Sequence, residues 1–325
     1  MRSTHTRAAV LPHARGPVAV ESLHFADPAA GEILLRMEAC GLCHSDLFVA
    51  GLEKLPLAPL TLGHEGIGIV EAVGSGVTSW APGDRAGITF LGTTCGACEW
   101  CAAGRERFCP KQTNFGYTLQ GALGEYALAP ASALVRVPAG LPAADAAPLC
   151  CAGWTAYRAL REAALSPGQS VALFGYGGLG HLALQIALHQ GLRVTVSDPS
   201  EEKVALARAA GAATDAPRGM DAAVVFTAAP AAIPQAFRAL RRNGTLILVG
   251  LSMTSYELPL VDTVLKGLTV RGSYLGSRDD LADVFALAGR GVLRPHVHTH
   301  AIDETPDLLE RMRRGELPGR AVVAF

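Results

Sequence analysis

The chain has 325 residues, half of them hydrophobic and 18% charged, with a formal net charge of -1. That length exceeds one compact core, and that apolar content excludes a disordered chain. With no basic block or acidic tail, neither nucleic acid nor a membrane surface is favoured as a partner, which leaves small molecules. The opening MRSTHTRAAVLPHARG carries Arg2, Arg7 and Arg15 and lacks the apolar run of a secretory signal. No stretch of about eighteen uncharged apolar residues occurs that could span a bilayer. A cytosolic chain is expected, and in a reducing compartment clustered cysteines are metal ligands more readily than disulfides.

Residues 1 to about 150 read as short strands broken by glycine. Ile33, Leu35, Met37 and Ala39 alternate with Arg36 and Glu38, the period of a half-buried strand. GIGIVEAV, DRAGITF and SALVRVP repeat the pattern between turn residues such as Gly83 and Pro138, which suits a small barrel. Within this region Cys43, in CHSD, and His64, in GHEGIG, offer a thiol and an imidazole with carboxylates nearby. Such a mixed set leaves a zinc position open for chemistry. Cys95, Cys98, Cys101 and Cys109 read CxxCxxC with a fourth cysteine following. Four thiolates close a tetrahedral zinc and so build a structural site; two disulfides are the alternative.

Near Ser166 the pattern changes to alternating strand and helix. The apolar run VALF (171–174) leads through Gly175, Tyr176, Gly177, Gly178, Leu179 and Gly180 into a segment with Leu182, Ala183, Ile186 and Ala187 on one helical face. Gly191 ends that helix, RVTVS (193–197) forms the next strand, and Ser200 caps a helix through Arg208. DAAVVFTAA, a helical IPQAFRALRR, GTLILVG and LTVRGS continue the series, as in a doubly wound parallel sheet. The GxGxxG lies in the strand–helix context that makes it a dinucleotide site: Gly175 for the turn, Gly177 for the pyrophosphate, Gly180 for helix packing. A bare packing turn is the alternative. Asp198 ends the second strand, where a carboxylate receives the adenosine ribose hydroxyls and repels a 2′-phosphate; no arginine follows directly, so NAD is expected over NADP. Lys203 completes the candidate cofactor set. After about residue 293 short strands return, and His296, His298 and His300 alternate in RPHVHTH, more consistent with an exposed strand than a metal site.

EACGLCHSD, GHEGIGIVEAVGSGV, the four-cysteine lobe, APLCCAGWTAYRAL, the GYGGLGH turn and the closing GRAVVAF together resemble the zinc-containing alcohol dehydrogenases of the medium-chain dehydrogenase/reductase superfamily. The resemblance implies a β-rich GroES-like catalytic domain (1–152 and 293–325, with the zinc lobe at about 92–112) and a Rossmann NAD-binding domain (153–292). It further implies two zinc ions per chain, NAD(H), and a homodimer or homotetramer. Cys43, His64 and Cys151 would hold the catalytic zinc, with Cys150 as the alternative thiol and Cys40 a buried bystander. Asp46 would orient the ligand histidine, and Glu65 would approach the zinc or serve a structural role. Ser45 would receive the substrate proton; Phe48 stands where relatives continue the relay with histidine, leaving His44 as an exit or a phosphate contact. Phe90, Phe48 and Trp154 would wall a pocket for an apolar or aromatic alcohol, aldehyde or ketone, or else pack the core; Lys266, Ser273 and Arg278 stand where relatives contact the cofactor, with solvent-facing roles as the alternative. A polyol dehydrogenase on the same scaffold, or a non-catalytic NAD- and zinc-binding sensor, is the competing reading.

Overall fold

The computed structural model describes residues 4–251, 253 and 255–325; Arg2 of the N-terminal reading lies outside them. Two compact units divide the chain, one running to Cys151 and resuming at Pro295–Phe325, the other spanning Ala152–Arg294. Before Cys151 lie strands β1 (Thr4–Leu11), β2 (Ala19–Phe25), β3 (Glu32–Gly41), β4 (Leu60–Thr61), β5 (Glu65–Val73), β6 (Arg85–Ile88), β7 (Tyr126–Pro130) and β8 (Val135–Arg136). Helices α1 (His44–Ala50), α2 (Glu99–Ala102) and α3 (Ala143–Pro148) interrupt them. The second unit holds α4 (Trp154–Ala163), β9 (Ser170–Phe174), α5 (Gly180–His189), β10 (Arg193–Ser197), α6 (Glu201–Ala209), β11 (Met220–Val225), α7 (Ala232–Ala239), β12 (Leu240–Leu248), α8 (Leu260–Lys266), β13 (Thr269–Gly272) and α9 (Arg278–Gly289). The first unit is completed by β14 (Val297–His300), α10 (Thr305–Arg313) and β15 (Arg320–Ala324).

In the first unit the strands divide between a three-stranded sheet, β2-β1-β4, and a seven-stranded sheet ordered β14-β15-β3-β5-β6-β8 with β7 also on β3. The alternation expected in β3 is present: Ile33, Leu35, Met37 and Ala39 are buried and Arg36 is exposed. Each fully buried Leu or Ile of this core contributes roughly 1.5–3 kcal/mol. The register positions the first site. Gly41 of β3 pairs with Glu65 of β5 and, on its other side, with Val322 of β15. Cys43 just beyond β3, His64 just before β5 and Arg320 at the start of β15 are therefore brought to one end of the sheet.

The second unit is a five-stranded parallel sheet ordered β10-β9-β11-β12-β13. The chain moves outward from β9 to β10 and then to the opposite side at β11, so the carboxyl end of β9 is a topological switch point, where ligands bind in such sheets. Leu182, Ala183, Ile186 and Ala187 of α5 are fully buried, as their spacing predicts. One element departs from expectation. The helical pattern of IPQAFRALRR reaches Arg242, yet α7 stops at Ala239 and Leu240 turns extended to pair with Met220 of β11. The segment is held across the sheet, where β12 pairs with β11 and Arg241 Nε donates to Asp221 Oδ1 at 2.8 Å. Among the described residues no helix is long and apolar enough to cross a membrane.

Candidate metal centres and cofactor site

Cys43 is the N-cap of α1, its sulfur accepting from the Ser45 N–H (3.5 Å), while Asp46 Oδ2 accepts from the Cys43 N–H (2.9 Å). This capping box fixes the thiol and aims the other Asp46 oxygen, Oδ1, at His64 Nδ1, 3.2 Å away. The opposite ring nitrogen, Nε2, is buried and has no protein partner. Cys43 Sγ lies 3.9 Å from Cys151 Sγ, and the ligand atoms of Cys43, His64, Glu65 and Cys151 all fall within 4.8 Å of one another. Two thiolates about 2.3 Å from a tetrahedral zinc sit about 3.8 Å apart, so the spacing fits the ion and the orphaned imidazole nitrogen is a third donor.

The adjacent thiols separate cleanly. Pro148 ends α3, and Leu149–Gly153 form a π-helical turn. That wider turn, a device often found at functional sites, sends Cys151 to the cluster, while Cys150 is wholly buried against β6, where a Cβ on Gly87 would lie 3.3 Å from its sulfur. Burial pushes the Cys150 thiol far up, which suits an inert residue. Cys40 is likewise buried outside the cluster. A hydrogen bond from Cys151 favours the thiolate of Cys43, whose pKa lies well below the usual thiol value despite burial.

Glu65 is fully buried, with both oxygens 2.5 Å from Arg320 Nη2. A Cβ on Gly41 would fall 2.1 Å from Glu65 Oε2, so the glycine makes room for the carboxylate. Burial pushes the Glu65 carboxyl up to about 8, with Arg320 acting against it. Sequence reasoning missed Arg320; its signal is a charge at the head of the otherwise apolar closing strand. Ser45 Oγ stands 3.7 Å from Cys43 Sγ and is half-buried, His44 is exposed, and Phe48 is 42% exposed. Phe90 meets the His64 ring edge-on at 5.3 Å. Trp154 takes the packing role instead: it is 1% exposed and donates from Nε1 to the Ser277 carbonyl (2.6 Å).

Cys95, Cys98, Cys101 and Cys109 form the second group, with Cys98 and Cys101 sulfurs 3.6 Å apart and Cys95 and Cys101 4.0 Å apart. These also match tetrahedral thiolate edges. Backbone N–H groups of Ala97 and Cys98 hold the Cys95 thiol down at about 6. The three alternating histidines fall outside both groups. The His296 and His298 rings lie 4.9 Å apart, and His300 Nδ1 is 3.1 Å from Glu304 Oε2.

In the second unit Gly175 adopts φ +98, and a Cβ on Gly180 would sit 2.0 Å from the Gly175 carbonyl, so both positions require glycine. Gly177 faces open space, as a backbone that approaches a pyrophosphate must, beside the N-terminus of α5. Gly178 and Leu179 complete the turn, Leu179 as the N-cap residue. Asp198 Oδ2 accepts from the Tyr176 N–H (2.7 Å) and Oδ1 from the Ser200 N–H (3.0 Å), joining the glycine turn to the cap of α6. The Lys203 N–H donates to the capping Ser200 Oγ. Ser273 follows β13, its N–H bonded to the Leu248 carbonyl; Lys266 ends α8 beside Asp262, and Arg278 opens α9.

A fold of this kind carrying a three-donor metal cluster and a glycine-turn nucleotide site defines a metal-assisted, dinucleotide-linked oxidoreductase. Family models match in both halves: the alcohol dehydrogenase GroES-like domain over residues 29–139 and the zinc-binding dehydrogenase domain over 178–290. An alcohol dehydrogenase of Geobacillus stearothermophilus is 42% identical over 90% of this chain and 91% of its own length. One from Rhizobium meliloti (strain 1021) is 39% identical, over 97% and 98%. Among solved structures, the alcohol dehydrogenase of Aeropyrum pernix superposes with TM-score 0.91 at 32% identity, over 98% of this chain and all of its own. Acetophenone reductase of Geotrichum candidum in complex with NAD gives 0.89 at 28%, over 100% and 98%. The chain belongs to the zinc-type alcohol dehydrogenases of the medium-chain dehydrogenase/reductase superfamily.

Proposed function

We infer that this protein is an NAD-dependent zinc alcohol dehydrogenase, interconverting an alcohol with its aldehyde or ketone. The observation that carries the reading is the pair of thiols 3.9 Å apart facing a buried imidazole nitrogen that has no protein partner. Cys43, His64 and Cys151 would hold the catalytic zinc and the four-cysteine lobe a second, structural one; when bound, zinc supplies a Lewis acid for the substrate oxygen and NAD a hydride acceptor. The chain's own residues do the remaining work. Asp46 keeps the proton of His64 on Nδ1, leaving Nε2 as the donor lone pair. The Ser45 hydroxyl, able both to accept and to donate, takes the alcohol's proton at Oγ. Since Phe48 has no group that can accept or release a proton, the exposed His44 imidazole, next to Ser45 in the chain, is the exit to solvent.

Phe90 against His64, with the half-exposed Phe48, gives the reacting position an apolar wall suited to apolar or aromatic substrates. The turn from Gly175 to Gly180 and Asp198 receive the cofactor. Strand β13 is one edge of the parallel sheet and is exposed throughout, and Leu260, Val261, Val264 and Leu265 of α8 are 66–74% exposed. An exposed sheet edge beside an exposed apolar helix face, open to pairing with a second copy, supports a homodimer, alone or within a tetramer, which we place in the cytosol. A spectrophotometric panel of alcohols with NAD, repeated after chelation, tests the reading. Substrate-dependent NADH formation that chelation abolishes is expected; NAD and metal binding without turnover on any alcohol would make the protein a sensor.

A further inference from the structure

Between the end of β10 and the first two turns of α6 lies a cavity of about 360 Å³, lined by Asp198, Pro199, Glu201, Val204, Ala205 and Arg208. It is a half-open hollow of small-molecule size, and its walls combine two acids, one cation and an apolar face. Asp198 is fixed by the two backbone N–H groups that its oxygens receive. Arg208, which lines the same space, donates from Nε (3.0 Å) and Nη2 (2.7 Å) to Thr214 Oγ1. The first residue of α6, Glu201, is exposed and enters no ion pair among the described residues.

We propose that Glu201 is a second specificity-determining residue for the cofactor, acting with Asp198 to reject a phosphate on the adenosine 2′-hydroxyl. The inference rests on the NAD reading of this site. A 2′-phosphate entering the cavity meets two carboxylates against one guanidinium, that of Arg208, whose charge persists while its Nε and Nη2 donate to the neutral Thr214 hydroxyl, so the lining is negative by one charge. Removing Asp198 alone leaves one of the two charges in place. In a partly screened cavity a single charge several ångströms away changes the affinity of a dianion by about three- to tenfold. Glu201 also sits in the first turn of α6, where an acid favours the helix dipole, and Glu202 shares that position without lining the cavity.

The test measures dissociation constants of NAD+ and NADP+ at fixed ionic strength for the zinc-loaded wild type, Glu201→Gln, Glu202→Gln and Asp198→Asn. The ratio of the NADP+ to the NAD+ constant is expected to fall about fivefold in Glu201→Gln and further when Asp198→Asn is added, while Glu202→Gln stays within about twofold of wild type. Equal shifts in Glu201→Gln and Glu202→Gln would reduce the effect to overall charge and overturn the proposal. An unmoved ratio in Glu201→Gln beside a shift in Asp198→Asn would overturn it too, with the NAD reading intact. If neither variant moved the ratio, the cavity would not hold the adenosine end, and the cofactor reading would fail with it.

Discussion

In the lobe, Cys95, Cys98, Cys101 and Cys109 come from one short stretch of turns, and three of the four are partly exposed. Cys43, His64 and Cys151 come from three separate segments joined through the pairing of β3 with β5 and the π turn after α3, and all are buried. The lobe can be assembled locally, so a metal there substitutes for a core the segment lacks. The other cluster exists only once the sheet has formed, and it keeps a donor set of two thiols and one imidazole beside a carboxylate held by an arginine. Closure by a fourth sulfur separates a metal that holds a loop from one that can accept a substrate oxygen.

The comparison breaks most sharply at Cys151. Cys151→Ser is expected to lose about one zinc per chain and at least about a thousandfold in turnover, whereas Cys150→Ser keeps both metals and most activity, read by metal analysis and initial rates. Cys98→Ser should also lose one zinc, with the opposite signature: the thermal midpoint falls by roughly 5–10 °C while turnover per folded molecule stays within a few-fold. Loss of turnover in the surviving folded fraction would erase the distinction between the regions. Asp46→Asn sharpens it by a smaller step. With its histidine no longer held by a carboxylate, the buried cluster should bind zinc about 10–100-fold more weakly in a competition titration, with the lobe zinc unaffected.

The smallest effect belongs to the parallel sheet. Burial alone would raise the Asp221 pKa, but hydrogen bonds from Ser170, Gln169 and Arg241 hold it well below the usual carboxylate value. A depressed folded pKa contributes stability that is present above the unfolded value, about 3.9, and is lost as pH falls toward the folded one. Asp221→Asn should therefore be less stable than wild type near neutrality, with the gap closing below about pH 4 in denaturant melts. A gap that widened in acid would contradict the assignment.

What could be read from the residues alone follows the same division. The thiol spacing of the lobe and the glycine turn before α5 are short-range patterns whose geometry is set by neighbours in sequence, so Cys95 to Cys109 and Gly175 to Gly180 stand where the spacing places them. The motif resemblance already put Cys151 ahead of Cys150; the physical reason, a π turn that sends one thiol to the cluster and the other against β6, is one that no apolar period reveals. Arg320 reaches Glu65 across 255 residues through a register that only the assembled sheet defines. The early end of α7 is also a feature of the assembled sheet, since Leu240 pairs with Met220 and Arg241 donates to Asp221 on the neighbouring strand. Trp154 reads equally as a pocket wall or as core from its chemistry; its indole bond to the Ser277 carbonyl decides for core.

The central claim, one open and one closed metal position, is tested most directly by imidazole titration of the cobalt-substituted protein. One cobalt's visible bands should shift as the added ligand takes the open position, a shift absent from Cys151→Ser and retained in Cys98→Ser. Bands that ignored imidazole, or a shift that vanished with the lobe cysteine instead, would contradict the account.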